Sequence, residues 1–158
     1  MNTKRFSIVV SIAVALALMG ATMVSPQAAL AQSGGGSGTL TASGDGLAGI
    51  RGSGTATISG SGILWIRDRA GDASIQVSGN GTKSELPSGW IRYAGFQGEA
   101  VVSGSQITVA LSGYDIQLTA SGTGKFVLRG NGSYTVQKDG ATVVSGAWTE
   151  TAEVFTIP

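Results

Sequence analysis

Two aspartates in the segment IRDRAGDAS, Asp68 and Asp72, are the carboxylates whose spacing best suits acid–base chemistry. A glycoside hydrolase needs two carboxyl groups about 5–9 Å apart, on either side of the bond that is cleaved. The same residues also suit a polar turn, in which an aspartate accepts hydrogen bonds from backbone N–H groups. We expect the turn, and we keep a glycosidase using Asp68 and Asp72 as a third hypothesis for the function.

Aromatic and arginine side chains form the second group of candidates, because a sugar ring can stack its C–H face on an exposed aromatic ring. Trp65 occupies an outward position between the apolar residues Leu64 and Ile66. A second hydrophobic layer or a covering loop would use the same aromatic residues, and Tyr114 and Trp148 are open to either interpretation. The predicted ligand-binding residues are Trp65, Arg67, Trp90, Arg92 and Tyr93.

Several classes of site are excluded by composition, because the chain contains neither cysteine nor histidine. Zinc sites built on those residues, Ser-His-Asp triads and Cys-His nucleophiles are therefore absent. The residues between paired glycines are mostly neutral, whereas a calcium-binding β-roll needs an aspartate in nearly every repeat. The glycine pairs open strands, with no lysine in the P-loop position. We expect no catalytic residue, no metal site and no cofactor.

Paired glycines divide the chain into the short elements that must position these residues. In GDGLAGIRGSGTATISGSGILWIRDR, residues 44–69, Gly-x-Gly recurs every eight residues, and the pattern returns at 122–124 and 130–132. Apolar residues alternate with variable ones after each pair, as Ala48 and Ile50 do. We interpret the glycines as corners between stacked strands. They are Gly44, Gly46, Gly52, Gly54, Gly60, Gly62, Gly122, Gly124, Gly130 and Gly132.

The alternation over five or six residues predicts half-buried β-strands, and no segment beyond the N-terminal apolar run has a helical stripe. We therefore expect an all-β fold of short repeats, with a β-solenoid favoured. The alternative is an antiparallel meander that forms a sandwich or barrel, in which the glycine pairs are hairpin turns. Residues 83–99 break the repeat and predict a longer loop or a capping element.

The N-terminus predicts export. Lys4 and Arg5 precede the apolar run 6–24, and Ala29-Leu30-Ala31 supplies the small residues that a signal peptidase recognises. We expect a cleaved signal peptide at 1–31, a flexible leader at 32–38 and a single all-β domain at 39–158. The protein would then be periplasmic, on the cell surface or extracellular, with no transmembrane segment after cleavage. Loss of the two cations changes the net charge from +1 to −1, which argues against nucleic acid as a partner.

The stretch VVSGSQITVALSGYDIQLTASGTGKFVLRGNGSYTV, residues 101–136, resembles the head GIN domain, a family of secreted bacterial proteins labelled as autotransporter adhesins. The similarity lies in strands of the type ITVALSG that alternate with corners of the type SGTGKFVL. The resemblance implies a β-solenoid and a role in the envelope or in adhesion.

The sequence thus leads to three functional hypotheses. The first is a structural or adhesive, non-enzymatic protein of the bacterial envelope or extracellular matrix, with polysaccharide or envelope components as partners and a capacity for self-association. The second is a carbohydrate-binding module that uses the exposed aromatic residues. The third is the glycosidase described above.

Overall fold

Residues 37–157 are described by a computed structural model, and every regular element among them is a β-strand. The strands are β1 (Gly38–Asp68), β2 (Ser74–Glu85), β3 (Trp90–Lys138), β4 (Ala141–Ala147) and β5 (Glu153–Ile157). All their pairings are antiparallel, and the sheet is not closed. The prediction of an all-β fold is confirmed. The expected signal peptide and nearly all of the leader lie outside the described residues.

The two longest strands, with 31 and 49 residues, each contain several short segments. Leu111 of β3 pairs with both Ala48 and Leu64 of β1, although those two residues are sixteen positions apart. A straight strand would place them roughly 50 Å apart. Therefore β1 must wind, and it returns to the same neighbour after two segments of about eight residues each, counted along this register.

The register sorts these segments into two ladders of neighbouring antiparallel strands. Ladder A has the order β4, 132–138, 38–44, 116–122, 54–60, 98–104 and 74–80. Ladder B has the order β5, 124–130, 46–52, 107–113, 62–68, 90–96 and 82–85. The chain alternates between the ladders on its way out through β1 and β2, and again on its way back through β3. Outgoing and returning segments consequently alternate within each ladder.

Both ladders contribute their inward side chains to one hydrophobic core. Leu40 and Ile58 of ladder A are fully buried in it, as are Leu64 and Leu111 of ladder B. Alternate residues point away from this core, as the period of two in a strand requires. Among residues 37–157 no polar or charged side chain is buried, so burial of apolar surface is the main stabilising contribution.

The bends between segments bring backbones into close contact. A Cβ atom on Gly54, which has a φ of +136°, would collide with the carbonyl oxygen of Ser121. A Cβ atom on Gly113 would collide with the carbonyl oxygen of Ser61. The bends therefore require glycine because no side chain fits between the crossing backbones.

The ten candidate corner glycines all lie at such bends, within strands rather than in hairpin turns. Nine of them pack against another glycine, in the pairs Gly44–Gly132, Gly46–Gly130, Gly52–Gly124, Gly54–Gly122 and Gly62–Gly113. Gly60 instead lies against the carbonyl oxygens of Tyr114 and Asp115. Hairpin connections occur elsewhere, at 86–89 and at 139–140.

The expectation of a loop across 83–99 is wrong. Residues 83–85 complete β2, a short turn covers 86–89, and β3 begins at Trp90. The block breaks the glycine repeat because the chain reverses here by a hairpin and starts its return. Its aromatic residues lie in a strand and are held in a fixed register by both neighbouring segments.

Candidate functional site

Four of the five predicted ligand-binding residues come together on the outward side of ladder B. Trp65 and Arg67 lie in segment 62–68, and Trp90 and Arg92 lie in the adjacent segment 90–96. In the first segment the intervening residue Ile66 is fully buried, so its neighbours point outward. All four side chains are half-buried.

The four side chains form a compact cluster in which each arginine covers a tryptophan. Arg67 pairs with Trp90, and its guanidinium carbon lies 5.5 Å from the centre of that ring. Arg92 pairs with Trp65 at a corresponding distance of 5.6 Å. The two indole rings meet edge to face, with their centres 6.1 Å apart and an angle of 89° between their planes. Cation–π and edge-to-face contacts of this kind favour the observed orientation of all four groups.

Tyr93, the fifth predicted residue, lies on the other side of the strand. It pairs with the fully buried Leu64, packs against the core and makes an edge contact with Phe96 at 6.3 Å. The prediction grouped Tyr93 with Arg92 by proximity in sequence, whereas alternation along the strand separates the two side chains.

Three further cations point outward from the same ladder, and the sequence analysis did not select them. They are Arg51 in segment 46–52 and Lys125 and Arg129 in segment 124–130. Arg51 follows the buried Ile50, Lys125 precedes the buried Phe126, and Arg129 follows the buried Leu128. The alternation of apolar residues could therefore have predicted that these three side chains point outward. We define the Trp–Arg face as Arg51, Trp65, Arg67, Trp90, Arg92, Lys125 and Arg129.

The Trp–Arg face has no negative charge of its own. None of the outward residues in the seven segments of ladder B is aspartate or glutamate. The Arg129 guanidinium donates a hydrogen bond from Nε to the carbonyl oxygen of Glu150, at 3.0 Å. At one end of the face, Arg51, Gln106 and Lys125 line an open depression of about 400 Å³. An anionic group that approaches the face therefore meets cations and no outward carboxylate.

The carboxylates of the glycosidase hypothesis both take part in a turn. Asp68 accepts hydrogen bonds from the backbone N–H groups of Ala73 at 2.9 Å, Gly71 at 2.8 Å and Ala70 at 3.0 Å. The bond from Ala73 is the main cause that lowers the pKa of Asp68, and partial desolvation opposes it. A general acid needs a raised pKa, so this environment favours the structural role.

Asp72 binds across the fold and not toward a shared site with Asp68. It accepts hydrogen bonds from Ser105 N at 3.0 Å and from Ser105 Oγ at 2.6 Å. These bonds attach the 69–73 turn to the returning strand.

The other two aromatic candidates differ from each other. Trp148 is buried, and its Nε1 donates a hydrogen bond to the carbonyl oxygen of Ser133 at 3.1 Å. Tyr114 is 71% exposed at a bend, where it pairs with Ser61 and not with a residue of the Trp–Arg face. The first covers the core, and the second is free to contact solvent.

Within residues 37–157 there is no cluster of acidic side chains suited to a metal ion, and no helix that could cross a membrane. Searches among protein families, curated proteins and solved structures found no match to this chain. The geometry of the two ladders is therefore the basis for any functional argument.

Proposed function

We propose that the chain is an exported, non-enzymatic adhesive protein of a bacterial envelope or extracellular matrix, and that the Trp–Arg face binds acidic polysaccharide there. The observation that carries this proposal is the gathering of five cations and two tryptophans on one carboxylate-free face. The resemblance of residues 101–136 to the head GIN domain points to the same kind of role.

Acidic polymers suit this face better than neutral ones. Each indole ring already has a guanidinium group over it, which leaves less ring surface for a stacked sugar. A guanidinium group that stacks on a ring still presents N–H donors at its edge, and these match the oxygens of a carboxylate or sulfate group. Arg51 and Lys125 extend the positive surface across the ladder, so a polymer chain could contact several cations in succession.

The winding of β1 supports the interpretation of the fold as a solenoid. In this solenoid, neighbouring segments would run antiparallel to each other. We propose that β1 and β2 make the outgoing turns of a coil and that β3 makes the returning turns between them. The glycine pairs then mark the edges of each turn. Such a coil has open strand edges at β2, β4 and β5, which offers a physical route to the self-association expected from the sequence.

The test is retention of the chain on immobilised alginate, with dextran as the neutral comparison. We expect retention on alginate at low salt and release as the ionic strength rises, because surface charges are screened. The double variant Arg67→Gln/Arg92→Gln should bind alginate about tenfold more weakly or worse, since it loses two charge-assisted contacts.

A matched pair of lysine variants separates the face from net charge. Lys125→Gln removes a cation from the Trp–Arg face, and Lys138→Gln removes one from the end of β3 in ladder A. Only the first should weaken retention. Equal weakening by both variants, or equal retention on alginate and dextran, would contradict the proposal.

A further inference from the structure

The outward side of ladder A carries a regular array of threonines. In four adjacent segments every outward residue is threonine, serine or glutamine, without a charge or an aromatic ring. We define the threonine face as Thr39, Thr41, Thr55, Thr57, Thr119 and Thr135. Each of these residues is exposed or half-buried.

The register aligns these side chains in two directions. Thr41 pairs with both Thr119 and Thr135, and Thr119 also pairs with Thr57, so four threonines form one row across four strands. Neighbouring strands are about 4.8 Å apart, and alternate residues along one strand are about 6.8 Å apart. Thr39 and Thr41 repeat along one strand, as Thr55 and Thr57 do along another. The result is a two-dimensional lattice of hydroxyl and methyl groups.

This lattice has no partner within the described part of the chain. None of the six threonine hydroxyls makes a side-chain hydrogen bond with another described residue. Threonine is branched at Cβ, so its side chain has few conformations to lose when a ligand orders it. The core side of the same segments is fully packed, with Ala56, Ile58 and Leu118 completely buried. The array should therefore lose little conformational entropy when a ligand binds.

A repeating neutral surface fits a repeating neutral ligand. Water in ice forms a lattice of hydrogen-bond donors and acceptors, and threonine hydroxyls at fixed intervals can take places in such a lattice while the methyl groups fit between them. A crystalline polysaccharide also repeats, but stacking on aromatic rings would be expected for it, and the aromatic residues of the outward surfaces lie on ladder B. We propose that the threonine face binds ice.

Partition of the chain into slowly growing ice tests this proposal, independently of any binding by the Trp–Arg face. The chain should be enriched in the ice fraction, and Thr119→Tyr should lower that fraction about tenfold, as loss of a central contact does in other interfaces. Thr108→Tyr is the matched control, because Thr108 lies at an outward position of ladder B on the same strand, β3. Thr108→Tyr should be enriched in the ice fraction to the same extent as the unmodified chain.

Thermal melting followed by circular dichroism shows whether both variants are folded. If Thr119→Tyr does not fold, Thr41→Arg provides the second disruption of the same row. Exclusion of the unmodified chain from ice would overturn the proposal. Equal enrichment of folded Thr119→Tyr and Thr108→Tyr in the ice fraction would overturn it too. If the unmodified chain is excluded from ice but binds crystalline chitin, and Thr119→Tyr weakens that binding, the face binds polysaccharide and not ice.

Discussion

Ladder A and ladder B have the same construction and opposite outward surfaces. Both are built from short segments, most of about seven residues and many of them bounded by glycine, and both contribute mainly aliphatic side chains to the shared core. Outward, four adjacent segments of ladder A present only neutral residues such as Thr41 and Thr119, whereas ladder B presents Arg67, Arg92 and two tryptophans. The inward positions and the bends are constrained by packing, so the outward positions are free to differ. One core thus supports two separate surfaces.

The largest effect should come from a change that breaks both surfaces together. Gly113→Ala places a Cβ atom against the carbonyl oxygen of Ser61, where two backbones cross. We expect a loss of unfolding free energy of about 3 kcal/mol or more, because the backbone must move to relieve the collision. Urea denaturation measures this loss, and binding to both alginate and ice should fall with it.

The control for this change is Gly71→Ala, in the turn between β1 and β2. A Cβ atom there has no neighbour within 4 Å, but the φ of +79° disfavours a side chain. The expected loss is about 1–2 kcal/mol, from backbone strain alone. Equal losses for the two variants would show that the crossing backbones can separate, contrary to the packing described above.

A smaller effect should distinguish the two surfaces from each other. Trp65→Ala removes the cation–π contact with Arg92 and the edge-to-face contact with Trp90. We expect this variant to lose about 1–2 kcal/mol of unfolding free energy. Thr119→Val keeps the shape of a side chain that makes no hydrogen bond to the described residues, and it should change stability by about 0.5 kcal/mol at most. A larger loss of unfolding free energy for Thr119→Val than for Trp65→Ala would contradict the expectation that only the Trp–Arg face contributes to stability.

The smallest effect concerns the turn that leads from ladder B back to ladder A. Hydrogen bonds from Ala73, Gly71 and Ala70 hold the pKa of Asp68 below its usual value of 3.8. The ionised carboxylate therefore stabilises the fold above that value, and the contribution is lost as the pH falls through the lowered pKa.

The variant Asp68→Asn should have a lower melting temperature than the unmodified chain at pH 7. The difference should begin to shrink as the pH falls through about 3.8 and should disappear only below the lowered pKa, where the unmodified chain is protonated at this position as well. Melting temperatures recorded from pH 7 to pH 2 measure both effects. Asp139→Asn, in the exposed turn at the end of β3, is the control. A difference that stays constant with pH would show that the Asp68 charge has no role.

Much of the inward and outward pattern could be predicted from the sequence. Ala48, Ile50, Leu64 and Ile66 recur at every second position of their segments, and each of them is buried. The same alternation placed Trp65 outward. In residues 90–96 the same alternation predicts that Tyr93 points inward, where it packs against the core. Period-two alternation assigns a face to a residue wherever a strand is recognised.

The pairing of segments could not be predicted in the same way. Segment 38–44 lies between 116–122 and 132–138, and many of its possible partners have the same pattern of alternating apolar residues. Alternation specifies the face of a strand and not the identity of its neighbour. The Trp–Arg face was consequently found only in part, because Arg51 and Lys125 join it through strand pairing across more than seventy residues.

The interleaving of outgoing and returning segments also determines when the chain can fold. Segment 38–44 has no strand neighbour until 116–122 and 132–138 are present, so the earliest strand depends on the last third of the polypeptide. Contacts between such distant parts of a sequence slow folding, typically to the range of about milliseconds to seconds for all-β domains. This delay agrees with the export proposed above, since an unfolded polypeptide could cross a membrane before its strands assemble.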